Sequence, residues 1–77
     1  MARKEEPDYK KDLKKIGENI RRIRLEKNMK QKELADACDF DRQNMNRIEA
    51  GKNNVTYKTL LTIAKALDVS VIDLLNI

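Results

Sequence analysis

The chain has 77 residues and a net charge of +4, from 17 Lys plus Arg against 13 Asp plus Glu, which suits one compact domain and favours an anionic partner without identifying it. Its single cysteine, Cys38, and its lack of histidine exclude an internal disulfide and the usual zinc sites, so we expect no bound metal and a reducing, cytoplasmic setting. No apolar run exceeds two residues, which excludes a membrane span and a signal peptide.

The first seven residues are charged at most positions and offer nothing to bury. We therefore predict a flexible N-terminal arm at residues 1–7, followed by one domain at residues 8–77. Lysines and arginines in and after the arm could contact phosphate groups, but the acidic residues interleaved with them cancel much of that positive potential. A solvated arm is the preferred interpretation.

Two helices are predicted in the first half of the domain. The first begins between Asp8 and Leu13 and ends near Asn28, a residue that tolerates the left-handed conformation of a helix end, with Met29 folding back as an apolar plug. Its apolar stripe comprises Tyr9, Leu13, Ile16, Ile20 and Ile23. The second helix, Gln31 to Cys38, turns Leu34, Ala35 and Cys38 inward. For Cys38 this favours a buried small apolar residue over a redox sensor.

A third helix follows the segment Asp39-Phe40-Asp41, which interrupts the apolar periodicity. Asp41 is predicted to cap a helix from Arg42 to about Glu49, and Gly51 to end it. Met45 and Ile48 face inward at a spacing of three residues.

Two further helices complete the chain. Thr56 is predicted to cap the fourth helix, and Ser70 with Asp73 forms a capping-box pattern for the fifth. The apolar positions of the fourth helix are Leu60, Ile63, Ala64 and Leu67. No alternation of apolar and polar residues predicts a strand, so the predicted fold is all-α with five helices.

The second and third helices have the features of a helix-turn-helix. Ala35 is small enough for two backbones to approach, Asp39 suits the turn, and Phe40 plugs the corner. The third helix then leaves Arg42, Gln43, Asn46 and Arg47 facing outward. Arginine can bind guanine through two hydrogen bonds, and glutamine or asparagine can bind adenine in the same way. The alternative is a solvated helix face, which would typically carry Glu and Lys.

Four segments resemble the Cro and phage-repressor helix-turn-helix family, which includes the xenobiotic-response-element-like transcriptional regulators. They are Gln31-Lys-Glu-Leu-Ala35, Asp41-Arg42, Arg47-Ile-Glu-Ala-Gly-Lys52 and Leu60-Leu-Thr-Ile-Ala-Lys-Ala-Leu67. The resemblance covers roughly Ile16 to Leu75. Within the family, Asp41-Arg42 and Asn54-Val-Thr56 are similar to the controller proteins of restriction-modification systems. The resemblance implies a five-helix, repressor-like DNA-binding domain with a helix-turn-helix.

The resemblance also implies roles for individual residues. Those expected to contact bases are Arg42, Gln43, Asn46 and Arg47. Those expected to contact DNA phosphates are Gln31, Asn44, Lys52, Asn53 and Asn54. Arg24 is expected to pair with Glu49, either as a structural salt bridge between helices or as an ordinary surface pair worth about 0–1 kcal/mol.

Three positions depart from the family pattern. Lys30 stands where the family prefers a Ser or Thr cap, Asp39 where it prefers Gly, and Val55 where it often has Pro. Loss of the cap costs roughly 1 kcal/mol, and aspartate tolerates a positive φ better than a branched residue does. Neither change abolishes the fold.

The C-terminal segment carries more apolar residues than so short a helix can bury in its own domain. Val71, Leu74 and Leu75 can face the core, whereas Ile72 and Ile77 point away. We therefore expect a homodimer whose interface comprises Ile72, Leu75 and Ile77.

The predicted function is sequence-specific binding of double-stranded DNA through the major groove, by a small prokaryotic transcriptional regulator, with repression favoured over activation. The alternative is a protein-interaction module, such as an antitoxin or assembly factor, whose third helix would present Leu, Tyr or Trp. An enzyme is disfavoured because the chain has no histidine and no glycine-rich phosphate loop. No cofactor, small-molecule ligand or membrane partner is expected.

Overall fold

A computed structural model describes residues 9–76, over which the chain forms five α-helices and no strand. They are α1 (Tyr9–Glu26), α2 (Gln31–Ala37), α3 (Arg42–Glu49), α4 (Tyr57–Leu67) and α5 (Val71–Leu74). The predicted all-α, five-helix fold is confirmed. The proposed arm at residues 1–7 and the interface residue Ile77 lie outside the described residues. None of the described helices has the length and apolar content that a bilayer crossing needs.

All five helices contribute to one apolar core, in which α1 packs against α3, α4 and α5 while α2 packs against α3 and α4. Met29 and Phe40, the two predicted plugs, are half-buried against this core. The buried stripe of α1 starts at Ile16, so the prediction was wrong for Tyr9, which is 44% exposed, and only partly right for Leu13, which is half-buried. Both lie beside the residues Gly51 to Asn54 of the loop after α3, which carry no large apolar side chain.

The first four helices end in the same way. Each is followed by a residue with left-handed backbone, at Asn28 (φ 58°), Asp39 (φ 59°), Gly51 (φ 73°) and Asp68 (φ 58°). The N–H of the next residue donates to a helical carbonyl five positions back, over 3.0 Å for Met29, 2.8 Å for Phe40, 2.9 Å for Lys52 and 2.9 Å for Val69. This is the Schellman arrangement, which satisfies carbonyls left free at a helix end.

The helix starts differ from their prediction in one case. Thr56 caps α4 as predicted, since its hydroxyl accepts from the Thr59 N–H at 3.1 Å. At the start of α5 the Asp73 carboxylate accepts from the backbone N–H of Ser70 at 3.0 Å. The prediction that Asp41 caps α3 was wrong for its side chain: only its backbone carbonyl takes part, accepting from the Met45 N–H. At Lys30, the Glu33 carboxylate accepts from the backbone N–H at 2.7 Å and offsets part of the missing cap.

Gly17 lets α1 and α3 approach more closely than any other residue would allow. A Cβ at this position would lie 2.6 Å from the carbonyl oxygen of Ile48 and closer still to that of Glu49. Both obstacles are backbone atoms, so no side-chain rotation could relieve the clash. Gly17 therefore sets the distance between the two helices.

A buried ion pair joins the same two helices. Arg24 on α1 donates to the Glu49 carboxylate on α3 through Nε at 2.7 Å and through Nη2 at 3.1 Å, and each residue is only 7% exposed. The third nitrogen, Nη1, donates to the backbone carbonyl of Met29 at 2.9 Å. The pair is thus a structural link between α1, α3 and the turn after α1 and not an ordinary surface pair.

Cys38 lies at the inner side of the helix-turn-helix, where it is buried in the core. Burial disfavours the charged thiolate and raises the pKa of Cys38 from 9.0 to about 11. This environment suits a small apolar residue and leaves little thiolate at neutral pH.

We expect Gly17→Ala to destabilise the fold, although alanine normally stabilises a helix interior by roughly 0.5–1 kcal/mol relative to glycine. The added methyl group would collide with the α3 backbone, at a cost of roughly 1–3 kcal/mol. Urea unfolding measures the change, with Lys15→Ala on the exposed side of α1 as the control. A Gly17→Ala protein as stable as wild type would contradict the close approach.

Removing one partner of the buried ion pair should lower the free energy of unfolding far more than removing one partner of an exposed pair. We expect Glu49→Ala to lower the free energy of unfolding by about 3–5 kcal/mol, because it leaves the Arg24 guanidinium buried without its counter-charge. The control is Arg22→Ala, which breaks the exposed Arg22–Glu26 pair and should cost about 0–1 kcal/mol. Similar small losses in both variants would show that the Arg24–Glu49 pair is not a structural link.

Candidate nucleic-acid interface

The outward face of α3 is polar and positively charged. Met45, Ile48 and Glu49 are its buried residues. The four residues predicted to contact bases, Arg42, Gln43, Asn46 and Arg47, are all exposed. Because residues four apart share a helix face, Gln43 lies in line with Arg47, and Arg42 in line with Asn46. The face therefore consists of two adjacent rows of hydrogen-bonding side chains.

The dimensions of this element suit the major groove of DNA. An α-helix with its side chains is about 10–12 Å across, and the major groove of B-DNA is about 12 Å wide. Both turns around α3 are closed by backbone hydrogen bonds, from Phe40 N–H to Ala35 and from Lys52 N–H to Arg47. Arg42 at the start of α3 and Arg47 in its last turn are exposed, whereas the final residue, Glu49, is buried.

A hydrogen-bonded chain of side chains joins α3 to the loop that follows it. Arg47 donates from Nε to the Asn53 Oδ1 atom at 3.0 Å. Asn53 in turn donates from Nδ2 to the Asn44 Oδ1 atom at 2.9 Å. Of the residues predicted to contact phosphate, Lys52 and Asn54 are exposed beside this chain, whereas Asn44 and Asn53 are half-buried within it.

Gln31, the remaining residue predicted to contact phosphate, contacts α3 at Glu49 and not at Asn44 or Arg47. It is the first residue of α2 and half-buried, and its Nε2 atom donates to the Glu49 Oε1 atom at 3.2 Å. Gln31 is therefore attached to the Arg24–Glu49 pair. The structure thus brings together the predicted base-contacting residues on α3, and the predicted phosphate-contacting residues lie at the start of α2, on α3 and in the loop after it.

Charge on this surface is mainly positive. Arg42, Arg47 and Lys52 are exposed, whereas the Glu49 carboxylate is buried against Arg24 and adds little negative potential. Asp41, directly before α3, is the exposed acidic residue nearest to this surface along the chain. Such a surface attracts a polyanion.

A second surface lies at the C-terminal end. Ile72 is 77% exposed and Leu75 is 40% exposed, whereas Val71 and Leu74 are buried in the core. The last turn is held to α1 by Asn19, whose Nδ2 atom donates to the backbone carbonyls of Leu74 and Asn76, each at 3.0 Å. The exposed apolar residues of α5 are therefore presented by a fixed backbone.

Several side-chain contacts were missed by the sequence reasoning. They include the bond from Gln31 to Glu49, the bond from Arg47 to Asn53, and the contact of Asn19 with α5. Each joins residues in different elements, so no helical periodicity indicates them. A weak signal existed for one: Gly51 predicts a reversal of the chain, which brings the residues after it back alongside α3.

Comparison with known proteins gives consistent results. The control protein C.SmaI of Serratia marcescens is 40% identical over 66 residues, covering 84% of this chain and 79% of that protein. The restriction-modification controller protein C.AhdI of Aeromonas hydrophila has a TM-score of 0.80 at 34% identity, covering 83% of this chain and 97% of that one. The controller protein C.Esp1396I, solved as a tetramer with its natural 35 base-pair operator, has a TM-score of 0.75 at 39% identity, covering 83% of this chain and 84% of that one.

The model of the family described as Helix-turn-helix matches residues 20–74, a stretch that runs from the middle of α1 to the end of α5. The match includes α2, α3 and both turns around them. Together with the controller proteins above, this confirms the resemblance inferred from the sequence. The chain belongs to the helix-turn-helix family.

Proposed function

We propose that this protein binds double-stranded DNA in a sequence-specific manner and regulates transcription by placing α3 in the major groove. The observation that carries the proposal is the division of α3 into a buried apolar side, with Met45 and Ile48, and an exposed side of Arg, Gln and Asn. Those exposed side chains have the donors and acceptors that distinguish base edges. An interface for another protein would instead be expected to contain large apolar or aromatic residues.

Base readout is assigned to Arg42, Gln43, Asn46 and Arg47. Phosphate contact is assigned to the flanking residues Gln31, Asn44, Lys52, Asn53 and Asn54. This division follows the general pattern in which contacts to the DNA backbone set the orientation of a protein and contacts to base edges specify sequence. Placing the phosphate ligands before, on and after α3 would hold the helix in register.

In this proposal the active form is a symmetric homodimer, in which each subunit contacts the other through Ile72 and Leu75. A two-fold axis near α5 would let two α3 helices enter successive major grooves about 34 Å apart. The similar controller protein C.Esp1396I binds its operator as a tetramer, which supports an oligomer on DNA here.

The protein acts by binding, without catalysis, and in the cytoplasm, where a prokaryotic operator would be found. Repression follows when a bound dimer covers a promoter. The similarity to restriction-modification controller proteins supports a small regulator whose own concentration is the signal.

Selection from a random pool of duplex DNA tests the proposal. We expect a two-fold symmetric sequence with half-sites about 10–10.5 base pairs apart. Affinity for it should fall with salt at a log–log slope near −0.9 for each phosphate neutralised. Failure to enrich any sequence, or affinity that does not depend on salt, would overturn the proposed function.

Gln43→Ala and Lys52→Ala should have different effects on DNA binding. Gln43→Ala should cost roughly 1–3 kcal/mol on the selected operator and much less on scrambled DNA, because it removes a contact to one base pair. Lys52→Ala should weaken binding to both DNAs alike and lower the salt slope by about one. Competition binding of both variants measures these changes. If Gln43→Ala lowers the affinity for operator and scrambled DNA equally, Gln43 contacts phosphate and does not read a base.

Ile72→Glu should split the dimer and weaken operator binding. A carboxylate at a position that is 77% exposed in one subunit leaves the fold intact but would be buried opposite its symmetry mate. Sedimentation analysis measures the mass, with Leu25→Glu as the control because Leu25 is an exposed apolar residue on α1. A dimer that survives Ile72→Glu would show that the interface lies elsewhere. A wild-type protein that stays monomeric even on DNA would refute the proposed homodimer.

A further inference from the structure

We propose that Asn53 is a positioning residue that sets the base specificity of Arg47. The inference rests on the proposed function and changes one part of it. Asn53, assigned above to phosphate contact, instead orients Arg47, the arginine proposed to read a base. Its basis is the hydrogen-bonded chain Arg47–Asn53–Asn44 between α3 and the following loop.

The bond to Asn53 uses the one guanidinium nitrogen that is not at the tip of the side chain. Arg47 donates from Nε to Asn53 Oδ1, which leaves hydrogens of its terminal Nη1 and Nη2 groups available for another acceptor. These two groups form a planar fork that matches the O6 and N7 acceptors of guanine in the major groove. Occupation of Nε thus favours end-on contact through the two terminal groups.

Asn53 is itself held in one orientation. Its Nδ2 atom donates to Asn44 Oδ1 at 2.9 Å, which turns its carbonyl oxygen toward Arg47. Its backbone follows the turn at Gly51, whose φ of 73° and closeness to the Lys14 backbone leave no room for a side chain. Both asparagines are half-buried, whereas Arg47 is exposed. A flexible exposed side chain is therefore attached to a fixed loop.

An arginine ordered before binding loses less conformational entropy when it binds, and it has fewer alternative poses with which to accept a different base. Removing Asn53 should therefore reduce discrimination at the base pair that Arg47 reads. Loss of a phosphate ligand would instead weaken binding to every sequence by the same factor. The two roles predict different results in one experiment.

The test is a double-mutant cycle with wild type, Arg47→Ala, Asn53→Ala and the double variant. Each is measured on the selected operator and on an operator changed at the base pair where Arg47→Ala loses discrimination. We expect Asn53→Ala to reduce discrimination at that pair about tenfold, to leave other pairs unchanged, and to have no further effect when Arg47 is already alanine. Asn54→Ala, in the same loop, is the control and should leave discrimination unchanged.

Additive losses from Arg47→Ala and Asn53→Ala, or a uniform loss on both DNAs, would overturn the proposal. Asn44→Ala provides a second variant, since it removes the bond that orients Asn53 but leaves Asn53 in place; it should reduce discrimination at the same pair to a smaller extent. Urea unfolding of each variant checks that the fold is retained. A wild-type protein without any base preference would refute the proposed function, whereas specific wild-type binding that Asn53→Ala and Asn44→Ala both leave unaltered would refute this inference alone.

Discussion

The buried ion pair between Arg24 and Glu49 couples the position of α3 to the rest of the molecule. A helix of eight residues is too short to be stable alone, so its orientation depends on what it packs against. Met45 and Ile48 supply the apolar contact, and Gly17 allows the backbones to approach. The two N–H···O bonds to Glu49 add a defined geometry to this apolar packing. The polar face of α3 points outward because Met45, Ile48 and Glu49 all point inward.

The four left-handed turns show how one local motif serves two purposes. In three of them the residue after the turn is apolar, and Met29, Phe40 and Val69 pack against the core. In the fourth the same position is Lys52, which is exposed beside α3. The backbone geometry is shared, so the difference lies in the side chain alone. Where the turn faces the interior it closes the core, and where it borders the candidate interface it presents a cation.

Much of the fold could be predicted because its signals are local. Helical spacing gave the helices, and Asn28, Asp39 and Gly51 each stand where a left-handed residue is needed. Asp68 has the same role and was not predicted, although Asp68-Val69 repeats the pattern of Asp39-Phe40. Asp41 was expected to cap α3 because its residue type suits that position, but propensity does not specify the orientation of an exposed side chain. The bonds between Arg47, Asn53 and Asn44 depend on how far the loop folds back, which is a property of the tertiary structure.

The arrangement separates stability from recognition at some positions and couples them at others. Arg42, Gln43 and Asn46 are exposed and lie outside the apolar core, so changes in these residues can alter the proposed DNA recognition at little cost to folding. Glu49 and Gly17 are the opposite case, since they hold α3 in place and lie outside its exposed face. Arg47 combines both features, because its bond to Asn53 ties a proposed recognition residue to a loop whose shape depends on Gly51 and on the packing of that loop against α1. A change in the α1–loop contact can therefore reach the proposed DNA surface through Arg47 first, and through the other three residues proposed to read bases only if α3 itself moves.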